Sequence, residues 1–220
     1  MIKLLIFDLD GTLIDSADDI QAAINRLLIQ EGSEPVSRQA IVDNIGEGLR
    51  KMLSGLIPNY RQGHPDYDRI EADFMRLYHE EGVRRVKMMP GALEFLHAWN
   101  GKIALVTNKN EAPTLSILAK LGLNKLDWQA IFGFDSLPTA KPDPGPLLEV
   151  LKRSKVTPEQ ALMVGDGVPD IKAAKAAGVR SVALNFGYGA LDRLLEHHPD
   201  FILNSYSDLP KLIADLNLRS

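Results

Sequence analysis

Five short apolar runs, separated by stretches with helical periodicity, constrain this chain more than any other feature. They are Lys3–Asp8, Lys102–Thr107, Ala130–Phe134, Ala161–Val164 and Ser181–Leu184. The first, Lys3-Leu-Leu-Ile-Phe-Asp8, is almost uninterrupted, as a strand buried on both faces should be. Strands that alternate with helices require parallel βαβ units with helices on both faces of one sheet, so the fold class is α/β. Phe201-Ile-Leu203 and a helix from Leu209 finish the chain. No internal repeat interrupts the pattern.

One segment breaks the alternation. Ser16-Ala-Asp-Asp19 has a capping-box pattern, and Ile20, Ala23, Ile24, Leu27 and Leu28 follow at helical spacing up to Gly32. Further helices are expected from Ser37, over Leu49–Leu56, and over Asp66–Glu81 with Ile70, Phe74, Leu77 and Tyr78 on one face. The expected organisation is a core of residues 1–13 and 86–220 around a helical insertion of residues 14–85, hinged near Leu13–Asp15 and Arg84–Met88. Beyond it, helices are expected over Ala92–Trp99, Pro113–Leu121, Leu147–Lys152 and Asp170–Ala177. Thr157-Pro-Glu-Gln reads as the N-cap of another, with proline at its first position.

Composition excludes several function classes. With 220 residues the chain can bury a sizeable core, and its net charge of −4 argues against a nucleic-acid surface. No apolar run has the roughly 18 residues of a membrane span, and the start of the chain does not read as a secretory signal. The absence of cysteine removes thiol nucleophiles and thiolate ligands, and a cytoplasmic location is expected.

The polar residues fall at the ends of the strands. The first strand runs into Asp8 and Asp10, the second into Thr107-Asn108-Lys109, and the fourth into Gly165-Asp166 and Asp170, while Lys141 lies in the loop after the third. In an open parallel sheet, ligands bind at the carboxyl ends of the strands, so these groups converge on one edge. Crowded carboxylates repel one another unless a cation joins them, and Mg²⁺ fits this oxygen-rich inventory. Asp8 beside such an ion can attack a phosphoryl group, with the metal and Lys141 offsetting the negative charge. Asp10, on the same side of an extended chain, is placed to protonate the leaving oxygen and later to deprotonate water. The chemistry that follows is two-step hydrolysis of a phosphate monoester.

Asp8-x-Asp10-Gly-Thr12, Thr107, Lys141 in Lys-Pro-Asp-Pro, and Gly-Asp166-x-x-x-Asp170 together resemble the four ordered motifs of the haloacid-dehalogenase-like phosphatases. The resemblance covers essentially the whole chain and implies a Rossmann-like core with an inserted all-helical cap of the C1 type. It implies Mg²⁺ held by Asp8, the main-chain carbonyl of Asp10, and Asp166. Substrate contacts are implied from Thr107, Asn108 and Lys141 and from Thr12 in the first motif, with Asp170 orienting the site from behind. The retained Asp10 sets the chain apart from the dehalogenases and phosphonate hydrolases that resemble this group.

Within the group, the chain is most similar to the phosphoglycolate phosphatases. The similarity rests on Ile14-Asp15-Ser16, Ile45-Gly-Glu-Gly48 before Leu49-Arg50, Pro90-Gly91, Phe186-Gly-Tyr188-Gly and Pro199–Ser205. Gly167 and Pro169 depart from the usual fourth motif without touching an expected ligand. The similarity implies 2-phosphoglycolate, or another small phosphorylated acid, as substrate. A sugar phosphate, nucleotide or pyrophosphate, a phosphomutase, and a non-catalytic regulator remain alternatives; the last would have lost motif acids, and none is lost. Gly46 and Gly48 read either as a substrate loop or as a simple helix break. Arg50 reads either as the cap cation for a substrate carboxylate or as a solvated surface arginine. Phe74, Leu77 and Tyr78 read as cap core. Oligomeric state is not legible.

Overall fold

The computed structural model describes residues 1–58, 60, 61 and 63–218. Strand β1 (Leu4–Phe7) leads, after a turn, into the two-residue strand β2 (Ile14–Asp15). Helices α1 (Ala17–Gln30), α2 (Arg38–Val42), α3 (Leu49–Leu56) and α4 (Tyr67–Glu81) follow, and β3 (Lys87–Met88) returns the chain. The remainder alternates: α5 (Ala92–Ala98), β4 (Lys102–Val106), α6 (Glu111–Lys120), β5 (Trp128–Phe132), α7 (Gly145–Ser154), β6 (Ala161–Gly165), α8 (Val168–Ala177), β7 (Arg180–Leu184), α9 (Leu191–Leu195), β8 (Phe201–Leu203) and α10 (Leu209–Leu218).

The main sheet has the order β5-β4-β1-β6-β7-β8, and every pairing in it is parallel. All four residues of β1 are buried, and their side chains divide between two cores as a period of two requires. Leu5 and Phe7 join Leu105, Val164 and the α5 and α10 side, whereas Leu4 and Ile6 join Val106, Met163 and the α7 and α8 side. Each such side chain contributes about 1.5–3 kcal/mol on burial. The α/β expectation is met. Because β1 is central, with β4 and β6 on its two flanks, Asp8 emerges where the chain turns to opposite sides of the sheet, which is where open sheets hold ligands.

The helices α1 to α4 share an apolar cluster of their own, in which Ile20, Ile24 and Leu27 of α1 pack with Leu53 of α3 and Phe74 and Leu77 of α4. The two connections to this helical insert pair with each other: Ile14 and Asp15 lie antiparallel to Met88 and Lys87. That small ladder, and helix α9, have no clear local sequence signal.

The capping box expected at Ser16 does not form. The Ser16 hydroxyl turns to Asp10, and the Asp19 carboxylate takes the backbone N–H groups of Arg84, Arg85 and Val86 at 3.0–3.1 Å. Asp19 thus ties the first helix of the insert to the segment by which the chain leaves it. The helix expected after Thr157 is only a 3₁₀ turn, Pro158–Gln160, and β5 begins at Trp128 rather than Ala130.

Candidate active site

Four loops leaving the carboxyl ends of the strands build one site. Asp8 and Asp10 follow β1, Thr107 to Lys109 follow β4, Lys141 lies after β5, and Asp166 to Asp170 follow β6. One carboxylate oxygen from each of Asp8, Asp166 and Asp170 lies within 4.8 Å of the others, and all three residues are buried. Lys141, only 5% exposed, spans two of them, with Nζ 2.8 Å from Asp8 Oδ1 and 2.5 Å from Asp170 Oδ1. Gly167 N donates to the other Asp170 oxygen at 2.9 Å. Asp170 therefore holds Lys141 against Asp8.

Asp166 is fixed by two donors, Thr12 Oγ1 at 2.6 Å and the Tyr188 N–H at 2.7 Å. Each carboxylate oxygen has two acceptor positions, so both oxygens retain one. Three acids against one lysine leave excess negative charge away from water. Burial, then the charges of Asp8 and Asp170, push the Asp166 carboxyl up to about 8. Burial also raises Asp8, to about 6, with Lys141 working against that rise and Asp170 adding to it. A divalent cation is the group this donor set fits: hard oxygen ligands, a charge deficit, and free lone pairs.

Asp10 lies beside this cluster and faces a cleft between the sheet edge and the insert. Its carboxylate accepts from the Ser16 hydroxyl and from Lys109 Nζ at 3.0 and 3.2 Å. Lys109, which the sequence reading left without a role, stands with Nζ 5.1 Å from the Tyr78 ring centre. Burial opposes its charge, but Asp10 and Tyr78 outweigh that, and its pKa lies above the ordinary lysine value. The insert walls the cleft with Ile20, Ile45, Leu49, Met52, Phe74 and Met75. Phe74 and Tyr78 serve this wall as well as the apolar cluster of the insert.

The structure brings most of the expected residues together. Thr107 lines the cleft, and its Oγ1 accepts from the Lys109 N–H at 3.2 Å. Asn108 bridges core and insert, donating through Nδ2 to the carbonyls of Gly46 and Lys141 at 3.0 Å each. Its Oδ1 is buried without a protein partner. Gly46 lines the cleft with φ +111°, a backbone conformation that favours glycine.

Two expected contacts fall elsewhere. Thr12 is fully buried and its hydroxyl is committed to Asp166, so it positions that carboxylate instead of meeting substrate. Arg50 faces away from the cleft: its guanidinium bonds Glu71 at 2.8 Å, lies over the Tyr67 ring, and is 57% exposed. The reason is helical phase. Leu49, Met52, Leu53 and Leu56 form the inward stripe of α3, and Arg50 is outside it.

Sequence reasoning also missed Tyr188. Its N–H reaches Asp166, its hydroxyl donates to Asp15 at 2.6 Å, and that hydroxyl accepts from the N–H groups of Ser16 and Ala17. The Phe186-Gly-Tyr188-Gly pattern flagged the segment but not this contact.

Comparison with known proteins agrees with the geometry. A family model of haloacid dehalogenase-like hydrolases matches residues 5–184. Phosphoglycolate phosphatase 1 of Pseudomonas aeruginosa is 37% identical, covering 94% of this chain and 78% of its own. A phosphoglycolate phosphatase of Pseudomonas putida is 40% identical, covering 97% and 80%. A Haemophilus somnus crystal structure, described as a predicted phosphoglycolate phosphatase, superposes with a TM-score of 0.87 at 29% identity, covering 96% of this chain and 98% of its own. Among the described residues, no helix is long and apolar enough to cross a membrane.

Proposed function

The chain belongs to the haloacid dehalogenase-like hydrolases and is a phosphoric monoester hydrolase; we propose that it works through a phosphorylated Asp8, with Mg²⁺ as cofactor. The observation that carries the mechanism is the set Asp8, Lys141, Asp166 and Asp170, meeting at the end of the central strand and beside the Asp10 cleft. The carboxylates of Asp8 and Asp166 and the main-chain carbonyl of Asp10 would hold Mg²⁺, which supplies charge that offsets the phosphoryl oxygens.

Each residue then has a task. Asp8 attacks phosphorus and forms the acyl phosphate as the bond to the leaving oxygen breaks. Lys141, held by Asp170, fixes one Asp8 oxygen and faces the phosphoryl charge. Asp10 hands a proton to the leaving oxygen, then takes one from the water that opens the acyl phosphate. Thr107 and Asn108 border the phosphoryl position, and Thr12 and Tyr188 keep Asp166 in place. The apolar insert closes over the site as a cap and excludes bulk water. Two similar Pseudomonas proteins are phosphoglycolate phosphatases, which supports 2-phosphoglycolate as the preferred substrate. We retain the cytoplasmic location, which the cysteine-free sequence supports.

The test is phosphate release from a panel of small phosphate esters, with and without Mg²⁺. The expected result is Mg²⁺-dependent release, with Asp8→Asn reducing kcat at least about a thousandfold. Release from no ester, or full turnover by Asp8→Asn, overturns the mechanism.

A further inference from the structure

We propose that Lys109 is the receptor for the carboxylate of the substrate, and so the residue that selects a phosphorylated acid over a neutral phosphate ester. The inference rests on the phosphatase reading above and assigns its specificity to one side chain.

Among the described residues, the cap side of the cleft carries no cation for that task. Its side of the cleft is formed mainly by Ile45, Leu49, Met52, Phe74 and Met75, with Tyr78 its one polar side chain, and an anion lodged there without a cation would be poorly accommodated. Arg50 is paired with Glu71 on the outer face of α3. Among the described residues that line the cleft, Lys109 is the one cation; Arg193, which lines the adjoining pocket, pairs with Glu47 at 3.6 Å.

Its position matches the shape of the ligand. In a two-carbon phosphorylated acid the carboxylate carbon lies roughly 2.4 Å from the leaving oxygen, two bonds away. The cation that meets it must therefore stand next to the acid that protonates that oxygen. Lys109 Nζ is 3.0 Å from Asp10 Oδ2, closes the same cleft, and has its side chain 9% exposed. An ammonium has three donors, and Asp10 is the one carboxylate with which Lys109 pairs here. The Tyr78 ring confines the amine from the cap side. A long-chain or aromatic leaving group would instead bury itself on the apolar wall and make no use of this amine.

The experiment compares kcat/KM for 2-phosphoglycolate with that for ethyl phosphate and 2-hydroxyethyl phosphate, neutral esters of similar size. Wild type should prefer the acid at least about tenfold, and Lys109→Met should lower the acid-to-neutral ratio by about 10- to 100-fold, mainly through KM. Losses common to all three esters cancel in the ratio, so a shared effect through Asp10 does not imitate the result. Arg50→Ala should leave the ratio within about twofold, as expected of an exposed ion pair outside the cleft.

An unchanged ratio in a folded, active Lys109→Met protein overturns the assignment while the phosphatase reading stands. Should that variant fail to fold, wild type alone decides: equal use of the three esters, or preference for phenyl phosphate over all of them, rejects it. Release from no ester rejects the phosphatase reading and this assignment with it.

Discussion

Mg²⁺ binding to this protein should be coupled to proton release, and acidification is the perturbation that exposes it. A carboxylate must be ionised to ligate the metal, so protons and Mg²⁺ compete. With Asp166 raised to about 8 by burial and then by Asp8 and Asp170, that carboxyl is ionised in about one-tenth of metal-free molecules at pH 7 and about one-hundredth at pH 6. Asp8, at about 6, falls from about nine-tenths ionised to about one-half over the same interval. The product falls roughly 10- to 20-fold, so the apparent Kd for Mg²⁺ should rise by a similar factor between pH 7 and pH 6. Ordinary aspartates near 3.8 would give a change of about 1%. Titration calorimetry at pH 6, 7 and 8 measures the affinity, and buffers of different protonation enthalpy at pH 7 should report about one proton released per ion. The same linkage fixes the sign for stability. Both acids are raised above their unfolded value, so their contribution is full below about pH 4 and is lost as pH rises through about 6 and 8. The metal-free protein should therefore lose stability over that window. An affinity that is flat from pH 6 to 8, with no buffer dependence, would refute the reasoning.

Two further perturbations test the positioning of these groups. Gly11 has φ +82°, and a Cβ there would lie 2.2 Å from Asp166 Oδ2; Gly11→Ala should displace Asp166 and weaken Mg²⁺ at least about tenfold by titration. Wild-type affinity in that variant would remove Asp166 from the ligand set. Asp19→Ala strands three backbone N–H groups and should cost about 2–4 kcal/mol in urea unfolding, with a loss below about 0.5 kcal/mol counting against the proposed tie.

Much of the fold and of the core site was legible because its signals are local. β1, β4 and β6 are apolar runs that end in polar residues, and the rule for parallel sheets puts those ends on one edge. What escaped depends on residues far apart or on phase. Asp19 looked like part of a capping box, yet its partners lie 65 to 67 residues away. The β2–β3 ladder pairs short segments from the two ends of the insert. Arg50 could have been placed from α3 alone, since the apolar stripe at Leu49, Met52, Leu53 and Leu56 turns it outward. Lys109 could not, because a single lysine after a strand has no periodicity to say which way it faces.

The central position of β1 also has a kinetic consequence. The ties that make the site, Lys141 to Asp8 and Thr12 to Asp166, join residues 133 and 154 positions apart. Such contacts are paid for in loop-closure entropy before they return anything, so they form late in folding. A chain that has placed β1 and β4 but not β6 holds Asp8 apart from Asp166 and cannot gather the acids. Catalytic competence should thus appear together with the last central pairing of the sheet, and recovery of activity on refolding should report completion of the whole core.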